Sequence, residues 1–125
     1  MLIDLHCHTR PLSACSALTA AELVSLACER GLDGICLTEH DRAWDAGELA
    51  ELRESAPIRV FSAVELTTDM GHVLAFGLDP SGFSAIARAV FAAAEASGGV
   101  LFLAHPARDG LLRVTHETVQ YFASV

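Results

Sequence analysis

The sequence contains no lysine, and all eight of its basic residues are arginines. This absence excludes Schiff-base enzymes, P-loop nucleotidases and sites in which a carbamylated lysine bridges two metals. Long apolar runs are also missing, because Gly, Pro or charged residues interrupt each apolar stretch well before 18 residues. We therefore expect no membrane partner. The opening lacks a basic segment, which predicts no signal peptide and a cytoplasmic location.

The four cysteines form neither a CxxC pair nor the spacing of a zinc ribbon, so reduced thiols are expected. A formal net charge of −8 disfavours nonspecific binding to nucleic acids and anionic membranes. A length of 125 residues predicts at most one domain with its own core. With 52% hydrophobic and 19% charged residues, the chain is apolar for a free-standing domain.

Apolar and amphipathic segments alternate along the chain and predict an α/β fold with mostly parallel strands and helices outside. In such folds, open or barrelled, functional sites lie at the carboxyl ends of the strands. The strands are expected at 1–8, 34–38, 58–66, 72–78 and 100–104, and the helices at 19–31, 44–55, 84–97 and 115–124.

The most informative motif is His6-Cys7-His8 at the end of the first strand. Side chains two apart on a strand point to the same face, so His6 and His8 can converge while Cys7 points away. Taken alone, the motif is about as often an ordinary pair of histidines as half of a metal site. On the same alternation, Asp4 either orients a ligand imidazole or is a polar residue at the strand's start.

Three further segments place metal-ligating side chains at or just beyond the end of an apolar run. His40 follows the second strand, where a plain surface loop is the alternative. Glu65 lies near the end of the third strand, and if buried it needs a partner, which is either a pair of metals or an arginine. His72 lies across a turn from Glu65, and His105 directly follows the fifth strand. The repetition of this placement favours a metal site.

Together these segments resemble the PHP (polymerase and histidinol phosphatase) superfamily of metal-dependent phosphoesterases, and small stand-alone members most of all. Residues 1–9, 37–41, 64–65 with 71–74, and 103–106 are similar to its successive motifs. The resemblance implies a partial, distorted β/α barrel, PHP-like and TIM-like, with two or three divalent ions (Zn, Mn or Fe) at the strands' carboxyl ends. The metal ligands that it implies are His6, His8, His40, Glu65, His72 and His105.

The sequence departs from the family pattern in two places. Members commonly have an aspartate a few residues after the HxH, where residues 12–15 read Leu-Ser-Ala-Cys. Either Cys15 substitutes as a thiolate ligand or that ligand is missing. The family's late Asp-x-His has no counterpart after His105. Residues 1–125 are therefore expected to be a single PHP-like domain, the N-terminal three-fifths of the family's domain, whose uncovered apolar surface favours a homo-oligomer.

The activity that the resemblance implies is hydrolysis of a phosphate ester by a metal-bound hydroxide, on a phosphorylated small molecule or an oligonucleotide. Arg10 and Arg108 stand beside ligand motifs and are candidates for holding the phosphoryl oxygens. The alternative is a non-catalytic metal-binding or regulatory PHP fragment that needs another chain to complete its site. Amidohydrolases also begin with an HxH on the first strand, but the lack of lysine and the segment 38–40 argue against them.

Overall fold

The computed structural model describes residues 1–108 and Phe122. The predicted order of strands and helices is confirmed through the fifth strand, whereas the helix expected at 115–124 lies, apart from Phe122, outside the described residues. The elements are β1 (Ile3–Cys7), α1 (Ala20–Glu29), β2 (Gly34–His40), α2 (Ala46–Ser55), β3 (Arg59–Thr68), β4 (Gly71–Phe76), a 3-10 turn (Pro80–Gly82), α3 (Ala87–Ser97) and β5 (Val100–Leu103).

The chain divides into two compact units, Met1–Ala63 and Val64–Val125, so the boundary falls inside β3. We call them unit 1 and unit 2 and describe each by itself. Among the described helices, none is both long enough and apolar enough to cross a membrane.

In unit 1, β1 and β2 are parallel, and their register pairs Ile3 with Gly34 and Cys7 with Leu37. Over this span β1 contains one residue more than β2, which makes a β-bulge. The bulge interrupts the strict alternation assumed from the sequence. Apolar side chains from both strands and from α1 and α2 form the core of this unit, namely Cys7, Val24, Ala27, Ile35, Leu37, Leu49 and Val60.

Asp4 pairs with Ile35 directly before this bulge, and its Oδ1 accepts a hydrogen bond of 3.0 Å from the backbone N–H of His6. Of the two roles left open for Asp4 by the sequence, this contact with the strand's own backbone suits a polar residue at the strand's start.

Helix α1 begins where its sequence predicts, at a capping box. The Oγ1 atom of Thr19 accepts from the N–H of Glu22 at 3.3 Å, and Oε2 of Glu22 accepts from the N–H of Thr19 at 2.7 Å. These two bonds satisfy backbone groups that the first turn of a helix leaves unpaired. The helix then packs its buried Val24 and Ala27 on the core of unit 1.

In unit 2, β3 and β4 are antiparallel, and so are β4 and β5. The expectation of mostly parallel strands is therefore wrong for this part of the chain. Only Asp69 and Met70 connect β3 to β4, and a connection this short can join only antiparallel strands, since parallel strands need a long crossover. The core of this unit packs α3 against the strands through Val64, Leu66, Val73, Ala75, Ala87, Val90, Phe91, Ala94 and Leu101.

Candidate metal centres

The ends of β1 and β2 bring three histidines of unit 1 together. Nε2 of His6 lies 3.0 Å from Nε2 of His8. The ring of His8 stacks on that of His40, with centroids 4.4 Å apart and an interplanar angle of 17°. Nitrogen ligands lie about 2.0–2.1 Å from zinc, so two of them on one ion are roughly 3 Å apart. The separation of the two Nε2 atoms therefore fits a shared divalent ion.

Cys15 belongs to the same group of side chains. The ligand atoms of His8, Cys15 and His40 all lie within 4.8 Å of one another. The thiol is exposed, whereas those of Cys7 and Cys36 are buried in the protein. We call the four residues His6, His8, Cys15 and His40 cluster 1.

Glu39 is the central polar residue behind cluster 1. Its side chain is 0% exposed, and burial of a charge is costly unless hydrogen bonds compensate it. Its Oε1 accepts from the hydroxyl of Thr9 at 2.5 Å and from Nε1–H of Trp44 at 3.2 Å. Its Oε2 accepts from the hydroxyl of Ser13 at 2.5 Å, and both oxygens lie 3.1 Å from the backbone N of Thr9. The carboxylate thus holds the loop that follows the HxH motif.

Ser13 connects this carboxylate to the histidines. Its Oγ lies 3.4 Å from Nδ1 of His8 and accepts from the backbone N–H of His40 at 3.2 Å. The same hydroxyl donates to Glu39, so one chain of hydrogen bonds joins the buried carboxylate to two members of cluster 1. Contacts of this kind fix the orientation of ligand imidazoles in metal sites.

The sequence interpretation missed Glu39 and singled out only His40 at the end of this strand. A signal was present in the sequence, since Glu39 closely follows the apolar run 35–37 and a carboxylate buried in such a strand requires partners. The structure shows every residue of β2 before His40 to be buried. Thr9 and Ser13 carry no comparable signal, since nothing in the local pattern shows that they reach a residue 30 and 26 positions away.

In unit 2, the hairpin register brings Glu65 and His72 together. Thr67 pairs with His72 across β3 and β4, and Glu65 lies two residues before Thr67 on the same face. Oε1 of Glu65 lies 2.9 Å from Nδ1 of His72 and 2.9 Å from Nε2 of His105. Glu65 is 1% exposed. We call Glu65, His72 and His105 cluster 2.

The end of β5 places His105 in this cluster. The N–H of Ala104 donates to the carbonyl of His72 at 2.9 Å, which extends the pairing of β4 with β5 as far as the histidine. His105 has a φ of 32°, in the left-handed region that a residue with a Cβ rarely adopts. Such a conformation costs on the order of 1–3 kcal/mol and is typical of functional sites.

The two arginines predicted to bind phosphoryl oxygens, Arg108 and Arg10, have different surroundings. Nη1 of Arg108 lies 3.5 Å from Nε2 of His105, and Arg108 lines a cavity of about 250 Å³. The other residues around this cavity are Thr67, Thr68, Gly71, His72, Ala104 and His105. Nη2 of Arg10, by contrast, forms an ion pair of 3.3 Å with Glu22 at the start of α1, where both side chains are more than half exposed.

Both clusters fit divalent metals in the chemistry of their donors. Imidazole nitrogen, carboxylate oxygen and thiolate sulfur are the protein ligands of zinc, manganese and iron. All six predicted ligands lie in one cluster or the other: three in cluster 1 and three in cluster 2. The ligand role of each one stays a prediction.

The two buried cysteines, Cys7 and Cys36, are unsuited to binding metal. Burial raises the pKa of the Cys7 thiol to about 12 and that of Cys36 to about 11. A thiol must lose its proton to bind a metal, so these two act as small core residues. Cys7 packs in the core of unit 1, pointing away from the histidines as predicted.

An α/β chain with histidine and carboxylate clusters at its strand ends has the features of a metal-binding domain. The family model of the PHP domain matches residues 4–119, so the chain belongs to the PHP domain family. This finding confirms the family resemblance.

Comparison with solved structures confirms the α/β fold and its resemblance to a partial PHP-type barrel. A candidate metal-dependent phosphoesterase from Bifidobacterium adolescentis is 20% identical, with a TM-score of 0.75 over 94% of this chain and 72% of that one. An amidohydrolase from Chromobacterium violaceum with bound sulfate is 30% identical, with a TM-score of 0.52 over 65% of this chain and 29% of that one.

A curated relative is an error-prone DNA polymerase from Cutibacterium acnes, 28% identical over 108 residues. The match covers 77% of this chain and 10% of the polymerase, so the chain spans about a tenth of that relative's length.

Proposed function

We propose that this protein is a metal-dependent phosphoesterase that holds divalent ions in cluster 1 and in cluster 2. The proposal rests mainly on the contacts that Glu65 makes with two imidazoles. Its buried carboxylate lies 2.9 Å from nitrogens of both His72 and His105, and Arg108 lies beside His105 at the edge of a cavity. A buried acid and two imidazoles beside a fixed positive charge suit the binding of a metal and an anion together.

His6, His8 and His40 would hold an ion in unit 1, while Glu65, His72 and His105 would hold one in unit 2. We expect zinc, manganese or iron. When bound, these ions supply Lewis acidity that stabilises negative charge on a phosphoryl group. Glu39 and Ser13 keep His8 and the backbone of His40 in place, so that the imidazoles need little reorganisation to bind.

Arg108 would bind the phosphoryl oxygens of the substrate. A guanidinium donates several hydrogen bonds in a planar fork that matches phosphate, and it keeps its charge at every physiological pH. The cavity beside it, about 250 Å³, suits a terminal phosphate on a small molecule or at the end of an oligonucleotide. Arg10 is the second candidate for this role, although its ion pair with Glu22 would have to open first.

The test is metal content and hydrolysis measured on the same preparations. Elemental analysis after equilibration with zinc, manganese or iron should find bound metal in the wild type and less in His6→Ala/His8→Ala. Each loaded sample is then assayed with p-nitrophenyl phosphate and with bis(p-nitrophenyl) phosphate, which separates monoester from diester hydrolysis. Hydrolysis that follows metal content supports the proposal. Bound metal without hydrolysis of either ester supports the non-catalytic fragment instead, and the absence of metal contradicts both.

A further inference from the structure

The segment that carries Cys15 is anchored on both sides of the cysteine. The N–H of Ser13 donates to the carbonyl of Thr9 at 2.8 Å, and the N–H of Ser16 donates to the carbonyl of Ser13 at 3.2 Å. The hydroxyl of Ser13 is itself held by the buried Glu39. Cys15 therefore lies in a hydrogen-bonded turn that is joined to the polar residues behind the histidines.

The position of Cys15 distinguishes it from the other cysteines. Its sulfur and the ring nitrogens of His8 and His40 lie within 4.8 Å of one another. Cys28 is also exposed, but it lies within α1 and belongs to no such group among the described residues. Cys7 and Cys36 are buried. Cys15 is thus the exposed thiol that the fold places beside metal-ligating side chains.

We infer that Cys15 is a metal ligand of cluster 1 and that its thiolate, together with His8 and His40, makes this site selective for zinc over manganese. The inference rests on the proposed function, because it requires cluster 1 to bind metal. Thiolate and imidazole ligands suit zinc, whereas manganese is bound preferentially through carboxylate, carbonyl and water oxygens. Exchange of the single sulfur for a carboxylate should therefore shift the preference towards manganese.

The first experiment uses Co²⁺ as a spectroscopic probe of the zinc site. A thiolate bound to Co²⁺ gives an intense charge-transfer absorption in the near ultraviolet, which nitrogen and oxygen ligands do not. Metal-free wild type and the matched control Cys28→Ser are expected to show this band with two equivalents of Co²⁺, enough to fill both clusters. Cys15→Ser is expected to lack it while retaining some cobalt through the histidines, as measured by elemental analysis.

The second experiment measures thiol protection and metal preference. In native protein, a thiol reagent should modify the exposed Cys15 and Cys28, and zinc should protect one thiol in the wild type. The single exposed thiol left in Cys28→Ser should be protected by zinc, and the one left in Cys15→Ser should not. Competition between zinc and manganese should shift towards manganese in Cys15→Asp, because a carboxylate replaces the thiolate ligand.

The outcomes separate this inference from the proposed function. Cobalt bound to the wild type without a thiolate band, or with Cys15 still reactive in the presence of zinc, overturns the role of Cys15 and leaves the proposed phosphoesterase standing. A band that persists in Cys15→Ser overturns the inference as well. Failure of the wild type to bind any metal overturns both.

Discussion

Glu39 in unit 1 and Glu65 in unit 2 are both buried carboxylates near the end of a strand, with 0% and 1% of their surface exposed. Their partners are of different kinds. Glu39 accepts from the hydroxyls of Thr9 and Ser13 and from the indole N–H of Trp44. The oxygen of Glu65 contacts two imidazole nitrogens. A buried glutamate therefore contacts hydroxyl and indole donors in unit 1 and imidazoles, which are able to bind metal, in unit 2.

The two kinds of partner suit a structural role for one carboxylate and a chemical role for the other. Hydroxyl, indole and backbone N–H groups can satisfy a carboxylate but do not compete for a metal ion at neutral pH. Imidazole nitrogens can either donate to a carboxylate or bind a metal beside it. Glu39 is accordingly a residue that stabilises the fold around cluster 1, whereas Glu65 is a residue that the proposed function uses directly.

The largest effect on stability is expected from Glu39→Gln. The amide NH₂ would replace one of the two oxygens that accept hydrogen bonds. The backbone N–H of Thr9, which lies 3.1 Å from both oxygens, would then keep only one acceptor. We expect the free energy of unfolding to fall by about 2–4 kcal/mol, measured by urea denaturation in the presence of a chelator. Glu39→Asp keeps the charge and should lose less. An unchanged urea midpoint in Glu39→Gln would contradict the structural role.

Glu65→Gln should show the opposite balance. Without metal, the amide oxygen of Gln can still accept hydrogen bonds from the imidazoles of His72 and His105, so the free energy of unfolding should stay within about 1 kcal/mol of the wild type. Metal affinity should fall by on the order of 10–100-fold, since a carboxylate ligand or its direct support is lost. The measurements are urea denaturation in a chelator and zinc affinity by competition with a coloured indicator. If Glu65→Gln unfolds as easily as Glu39→Gln, the contrast between the two carboxylates is wrong.

Local sequence signals predicted much of the fold and of the candidate site. The capping box at Thr19 and Glu22 gave the start of α1, and apolar runs that end in histidine or glutamate gave the strand ends that carry both clusters. These signals can be recognised in the sequence because each depends only on residues that are close together along the chain. Helix α2 begins two residues later than expected because the side chain of Asp45 caps it, accepting from two backbone N–H groups.

Other features depend on contacts between distant residues. The bulge in β1 arises only when the strand pairs with β2. The network of Glu39 joins residues up to 30 positions apart. The antiparallel hairpin could have been predicted, because the connection 69–70 is too short for a crossover, but the alternation of strands and helices elsewhere favoured a parallel sheet.

Substitutions of Arg108 and Arg10 should leave the fold intact and should differ in their effect on KM. Arg108→Ala should raise KM for a phosphate ester about tenfold or more with a smaller change in kcat, because a hydrogen bond between charged groups contributes about 1.5–3 kcal/mol. Arg108→Lys keeps the charge and should recover part of the loss. Arg10→Ala removes an exposed ion pair with Glu22 and should leave both the stability and KM close to the wild-type values. Steady-state kinetics decide between the two arginines: an equal rise of KM in Arg10→Ala would mean that Arg10 leaves Glu22 to bind the phosphate, and an unchanged KM in Arg108→Ala would remove Arg108 from the proposed site.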